Sequence, residues 1–179
     1  SKLEDGSGRW SVYWQACEPS GLLSFPFSAL GRPGWLVLID PSSRLSFEAV
    51  SGRSLCDDEF ERRRIESGWP RFGVDMDSDT IPLEARLESA ISYTKGCYMG
   101  QETISRIHHM GHVNRLLVGL VFDSEPPSVP TPVFCDGVEV GRLTSACHCA
   151  AGGLGLATVR IDLATPGVRL SAGNSAAVI

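Results

Sequence analysis

The octapeptide RLLVGLVF (Arg115–Phe122) places Leu116, Val118, Leu120 and Phe122 on one face of a strand. It follows GQETISRIHH (Gly100–His109), which has a different period and reads as a short helix closed by Gly111. After residue 122 further short apolar runs follow: GRLTSA, GLGLATV, VRLSA and AAVI. An Asp-Gly pair inside CDGV (Cys135–Val138) marks a two-residue hairpin turn. Short, closely spaced strands must bury one face each, and a small barrel or sandwich is the economical way to do it. The stretch SEPPSVPTP (Ser124–Pro132) fits either an interdomain linker or a loop within this β module.

Upstream, the two periods are mixed. SVYWQA (Ser11–Ala16), LLSFPF (Leu22–Phe27) and WLVLI (Trp35–Ile39) read as strands punctuated by EPSG and GRPG. Pro26 lacks a ladder N–H and assigns the second strand to a sheet edge. DDEFERRRIESG (Asp57–Gly68) reads as a helix, with acids in its first turn, Gly68 as its stop and Arg62, Arg63 and Arg64 on a solvated face. PLEARLESAISY (Pro82–Tyr93) predicts another helix, with Pro82 in the first turn and Leu83, Leu87, Ala90 and Ile91 forming one stripe. The expected class is α+β: a mixed region over residues 1–111, then an all-β module over residues 112–179.

The net charge of −5 argues against a general nucleic-acid binder. No apolar run is long enough to span a bilayer, and the N-terminal SKLEDGSGRW lacks the apolar segment of a secretory signal. Six cysteines scattered through such a chain are expected to be free thiols, and the predicted location is cytoplasmic, with no membrane partner.

The densest chemistry lies in KGCYMGQE (Lys95–Glu102). Cys97 stands just ahead of a predicted helix start, where the helix N-terminus and the Lys95 charge both favour thiolate. Gly96 and Gly100 allow a tight turn or a close ligand approach. A small buried hydrophobe in a turn shaped by glycines fits the same residues, and residue types alone leave both readings open. In HHMGH (His108–His112), His108 and His109 would point about 100° apart on a helix, and no carboxylate completes a ligand set. On a strand Cys147 and Cys149 share a face while His148 points away, and only Cys135 is near in sequence. No metal site is expected from either cluster.

The longer stretch TKGCYMGQETISRIHHMGHVNRLLVGL resembles the signature of the YgfZ-type tetrahydrofolate-binding proteins, relatives of the glycine cleavage T-protein (aminomethyltransferase). The family pattern is Lys-Gly-Cys-[Phe/Tyr]-x-Gly-Gln-Glu, and Lys95, Gly96, Cys97, Tyr98, Gly100, Gln101 and Glu102 match every fixed position. RIESGWPRFGVDMDSDTIPLEA (Arg64–Ala85), GRPGWLVLI and DGVEVGRLTSA (Asp136–Ala146) are similar to further family segments. The resemblance implies a T-protein-like α/β region followed by a small C-terminal antiparallel β-barrel, with Ser124–Pro132 as a loop inside the barrel. It implies tetrahydrofolate as cofactor, Cys97 as the catalytic residue, and Lys95, Gly96, Tyr98, Gly100, Gln101 and Glu102 as cofactor-binding residues. The implied role is support of the assembly or repair of iron–sulfur enzymes, with those enzymes or their assembly proteins as partners. The alternative is a tetrahydrofolate-dependent C1 transferase of the T-protein kind. Members of the family are longer, and their N-terminal portion builds part of the folate cavity and, in the T-protein, carries a catalytic Asp. Nothing here matches that portion, so the chain resembles the C-terminal part of a member. T-proteins commonly carry Asp where Cys97 stands, which favours the YgfZ type over a true aminomethyltransferase.

Overall fold

The computed structural model describes residues 11–15, 23–26, 33–39, 56–149 and 152–179. The turn expected at EPSG, the first half of the one at GRPG, and Cys17 lie outside them. The chain falls into two compact units, Ser1–Trp69 and Pro70–Ile179. No helix among the described residues is long and apolar enough to cross a membrane.

The first unit holds a three-stranded antiparallel sheet, β1 (Ser11–Gln15), β2 (Leu23–Pro26) and β3 (Trp35–Ile39), in the order β1-β3-β2. β3 is central, and it is the strand of the three that is apolar at every position. Val37 and Ile39 on one of its faces are buried, with Trp35 packed against them. β2, which ends in Pro26, takes the edge as its sequence requires. Helix α1 spans Asp57–Glu66, with Asp57, Asp58 and Glu59 in its first turn.

The expectation of a solvated Arg62–Arg64 face is corrected at Arg64, which is only 2% exposed. Its Nε and Nη2 donate to Glu61 Oε2 at 3.0 and 2.9 Å, and Nη1 donates to the Trp69 carbonyl at 2.7 Å. The i,i+3 spacing brings Glu61 beside Arg64, and the chain after Gly68 folds back over the guanidinium. A buried arginine is tolerated because charge and donors are both met there.

The second unit is built around a closed antiparallel barrel of β4 (Arg115–Phe122), β5 (Thr131–Cys135), β6 (Val138–Cys149), β7 (Gly152–Arg160), β8 (Arg169–Ala172) and β9 (Ser175–Val178). Their order is β4-β7-β6-β5-β8-β9, and β9 returns to β4 at Val121↔Val178 and Phe122↔Ala177. The alternation read in β4 is the barrel's inside and outside: Val118, Leu120 and Phe122 join Val133, Val140, Leu143, Val159 and Leu170 in one core. Asp136 and Gly137 both adopt positive φ (49° and 80°) in the β5–β6 hairpin, the conformation the Asp-Gly pair supplies. Ser124–Pro132 runs from the end of β4 into β5 and is a loop of the barrel, as the resemblance implied.

The helix expected over Pro82–Tyr93 does not form. Residues 82–86 are turns and only Glu88–Ala90 make a short 3₁₀ turn. The reason is tertiary. β4 pairs with β9 only at its far end, and the segment after Pro82 takes the exposed stretch near Leu117. The Leu117 N–H donates to the Glu84 carbonyl and the Arg86 Nε donates to the Leu117 carbonyl, each at 2.7 Å. Arg86 reaches that position with φ 56°, which no helix allows. Ala85, outside the apolar stripe, is buried, whereas Ala90 within it is exposed.

Asp75 fastens the preceding loop to the barrel. Its Oδ1 accepts from Thr144 Oγ1 at 2.6 Å and Ser145 Oγ at 2.7 Å, and its Oδ2 accepts from the Arg71 N–H at 2.9 Å. Successive strand residues normally face opposite ways; a bulge between Leu143 and Ser145 lets both hydroxyls reach one oxygen. Asp75 is nearly fully buried, so truncation removes the acceptor that these three donors share. Asp75→Ala should cost about 2–4 kcal/mol, and Asp75→Asn, which keeps an acceptor, should cost less. Denaturant unfolding of the two variants checks this; equal, near-zero losses would show that the anchor is dispensable.

Candidate functional site

The motif lies in the second unit, between the 3₁₀ turn and helix α2 (Gln101–Met110). Gly100 is the N-cap of α2, with φ 85°, a conformation that glycine adopts without a Cβ penalty. Next to it the chain closes on itself twice: the Gln101 N–H donates to the Tyr98 carbonyl, and the Tyr98 N–H donates to Gln101 Oε1, both at 3.2 Å. The side chain of Gln101 therefore does for Tyr98 what a capping box does for a helix start. Glu102 sits exposed in the first turn, where its charge complements the helix N-terminus.

Lys95 is held at both ends. Its N–H donates to Ser92 Oγ at 3.2 Å, and its ammonium lies 4.7 Å from the centroid of the Tyr98 ring. The structure thus brings Lys95, Tyr98 and Gln101 into one contact set. Gly96, Cys97 and Gly100 are exposed around it, and Met99 beside Cys97 is 99% exposed. The Cys97 thiol is free, as are those of Cys56, Cys135 and Cys149. The buried-packing reading of Cys97 does not describe this arrangement.

Two residues outside the expected set join the neighbourhood. The Tyr93 ring stacks on His108 of α2, with centroids 4.1 Å apart and planes 23° apart. The hydroxyl oxygens of Tyr93 and Tyr98 are both buried without a hydrogen-bond partner. Buried phenols are normally satisfied, so each of these oxygens is a place for a water or a ligand atom. Tyr93 precedes the motif by two residues. The available signal was a second tyrosine within five positions of Tyr98. His108 and His109 meet edge-on, with planes at 75°, and among the described residues no group of three or more His, Cys, Asp or Glu is placed to hold a metal ion.

A cleft of about 530 Å³ opens elsewhere in the same unit, and none of the motif residues lines it. It runs between the Gly73–Thr80 loop and the outer wall of the barrel, at Arg115, Arg142, Thr144 and Thr158. There the Thr80 hydroxyl, with help from the Asp79 N–H, holds the Asp77 carboxyl below its ordinary pKa.

Residues 114–178 match the family of the C-terminal β-barrel domain of CAF17. A chloroplastic protein of Arabidopsis thaliana named as a transferase is 33% identical over 153 residues, covering 82% of this chain and 35% of its own. The human mitochondrial iron–sulfur cluster assembly factor IBA57 is 32% identical over 131 residues, covering 70% of this chain and 36% of its own. The crystal structure of glycine cleavage system aminomethyltransferase T from Bartonella henselae superposes with a TM-score of 0.70 at 19% identity, over 94% of this chain and 47% of that one. The chain belongs to the aminomethyltransferase superfamily. Within it, the C-terminal barrel of this aminomethyltransferase-superfamily chain is of the YgfZ/CAF17 kind. The chain spans about a third of the length of the curated relatives it matches.

Proposed function

We propose that this chain is the thiol-bearing part of a tetrahydrofolate-binding protein of one-carbon type, and that Cys97 is its functional group. The observation that carries the reading is the motif loop itself: an exposed thiol on a loop closed by Lys95, Tyr98 and Gln101. The residues present fit a pterin-type ligand, because the two unpartnered phenol oxygens of Tyr93 and Tyr98 supply buried hydrogen-bonding groups that a heteroatom-rich ring can satisfy. Tetrahydrofolate, when bound, supplies the nitrogens that carry a one-carbon unit; Tyr93 and Tyr98 would hold it.

Two finer readings share this ground. C1 transfer of the aminomethyltransferase kind has the broader support: the superposition covers nearly the whole chain, and aminomethyltransferases recur among the relatives, including one from Halothermothrix orenii at 32% identity over 109 residues. Support of iron–sulfur enzymes is favoured by one specific observation, the exposed sulfur of Cys97, together with the likeness to IBA57. Reconstituted glycine cleavage with the full-length protein tests the first, and iron–sulfur enzyme activity in a deletion strain tests the second.

A ligand pocket binds well only when it encloses most of the ligand's surface. The relatives are about three times longer than the matched region, and their additional chain is a source of further cavity wall. The 179-residue chain taken by itself should bind tetrahydrofolate weakly or not at all by calorimetry. Tight binding would show that these residues form a complete site.

A further inference from the structure

We infer that Tyr98 is the positioning residue of the motif, and that Lys95 acts through the Tyr98 ring rather than on the Cys97 thiol. The inference rests on the reading of Cys97 as the functional group and deepens it.

The sequence alone aims the Lys95 charge at Cys97, two residues away. The structure places it on the Tyr98 ring. The ammonium stands 4.7 Å from the centroid of the Tyr98 ring, within the range where an aromatic face attracts a cation. Two residues that flank Cys97 are therefore tied to each other across it. The clamp continues on the other side: the backbone N–H and C=O of Tyr98 are taken by the side chain and N–H of Gln101. Cys97 thus sits in a short arc whose two ends, Lys95 and Tyr98, are joined by a cation–ring contact, and whose downstream end is sewn to helix α2. The thiol itself is left exposed, between glycine on one side and the half-buried Tyr98 on the other. In this arrangement the lysine restrains where the sulfur is presented. Its ammonium is held on a π face.

The phenol oxygen divides the roles of the same side chain. It is buried and has no protein partner, so removing it costs the clamp nothing; only the ring is needed to hold Lys95. Tyr98→Phe therefore keeps the clamp, whereas Tyr98→Leu removes it. In the same way Lys95→Arg keeps a cation over the ring and Lys95→Met does not.

The test is a double-mutant cycle on the 179-residue chain, read in two ways. The first readout is hydrogen exchange of the Tyr98 and Gln101 amides. A cation–ring contact at an exposed site is worth about 0.5–1 kcal/mol, so Lys95→Met and Tyr98→Leu should each speed exchange about two- to fivefold. The double variant should exchange no faster than either single one, because both remove the same contact. Lys95→Arg and Tyr98→Phe should exchange as the parent does. The second readout is the rate of Cys97 alkylation by iodoacetate relative to iodoacetamide, resolved from the other cysteines by mass spectrometry. A positive charge felt at the sulfur favours the anionic reagent, so this ratio should be the same in Lys95→Met as in the parent. Additive effects in the double variant, or a fall in the iodoacetate preference on Lys95→Met that persists in the Tyr98→Leu background, would overturn the proposal and return Lys95 to the thiol. Neither readout involves folate, glycine cleavage or iron–sulfur enzymes, so failure of the clamp is distinguishable from failure of the functional reading.

Discussion

Gly141→Ala should strongly destabilise the barrel. Gly141 lies in β6 opposite Val159 of β7, and a Cβ placed on it would sit 2.1 Å from the Thr158 carbonyl oxygen and 2.8 Å from the Val159 Cα. Both neighbours are backbone atoms in a paired strand, so no side-chain rotamer relieves the clash; the β6–β7 ladder has to open. Over-packing that moves backbone costs about 3 kcal/mol at the upper end of the usual range, a large share of the roughly 5–15 kcal/mol that holds an ordinary domain. For a chain of this size that corresponds to a fall in Tm of about 6–12 °C. Gly137→Ala separates space from conformation. Gly137 has φ 80° in the hairpin, and no atom lies within 4 Å of the position a Cβ would take, so its alanine variant should lose only the left-handed penalty of about 1–2 kcal/mol. Thermal unfolding of both variants checks the pair. A Gly141→Ala protein as stable as Gly137→Ala would mean that the two strands are not packed as closely as the structure shows.

The barrel was legible because its rules are local. Period-two alternation in Leu116–Phe122 and the positive-φ demand met by Asp136 and Gly137 depend on neighbours in sequence, and both appear where the residues require them. The Pro82–Tyr93 segment was misread because its fate is decided by a distant strand: Leu117 of β4 captures the Glu84 carbonyl, and its own carbonyl takes the Arg86 guanidinium. Helix propensity of a few tenths of a kcal/mol per residue does not compete with two such hydrogen bonds and a buried Ala85. Arg64 shows the same limit in a charged run, where the burial of one arginine follows from the fold-back at Trp69 rather than from its neighbours Arg62 and Arg63. At the site, the motif residues were visible as a set, but which of them touch was not. Spacing put Lys95 beside Cys97, yet its ammonium stacks on Tyr98. Tyr93 and His108, fifteen residues apart, carried no shared pattern that would have paired them.

In the full-length protein, Cys97→Ala should leave folding intact and abolish function. The residue is exposed with a free thiol, so truncation should change stability by no more than about 0.5 kcal/mol. A core cysteine would behave in the opposite way, losing stability first and function only as a consequence. The variant should therefore be as abundant as the parent while failing to restore iron–sulfur enzyme activity in a deletion strain or glycine cleavage in reconstitution, whichever of these proposed activities the parent shows in the same assays. The replacement that separates those two readings is Cys97→Asp. Aspartate commonly stands at this place in the T-protein family, and a carboxylate supplies negative charge and hydrogen-bond acceptors without the nucleophilicity of a thiolate. If the position needs only an anion beside the folate, as C1 transfer of that kind implies, Cys97→Asp should keep most of the activity that Cys97→Ala loses. If the sulfur itself is required, to attack an electrophile or to ligate a soft metal, Cys97→Asp should be as inactive as Cys97→Ala, and Cys97→Ser should not rescue it, because a hydroxyl is protonated at neutral pH and binds soft metals poorly. A Cys97→Ala protein that is folded, abundant and fully active in both assays would remove the thiol from the mechanism and leave the tyrosine-clamped loop as a structural element alone.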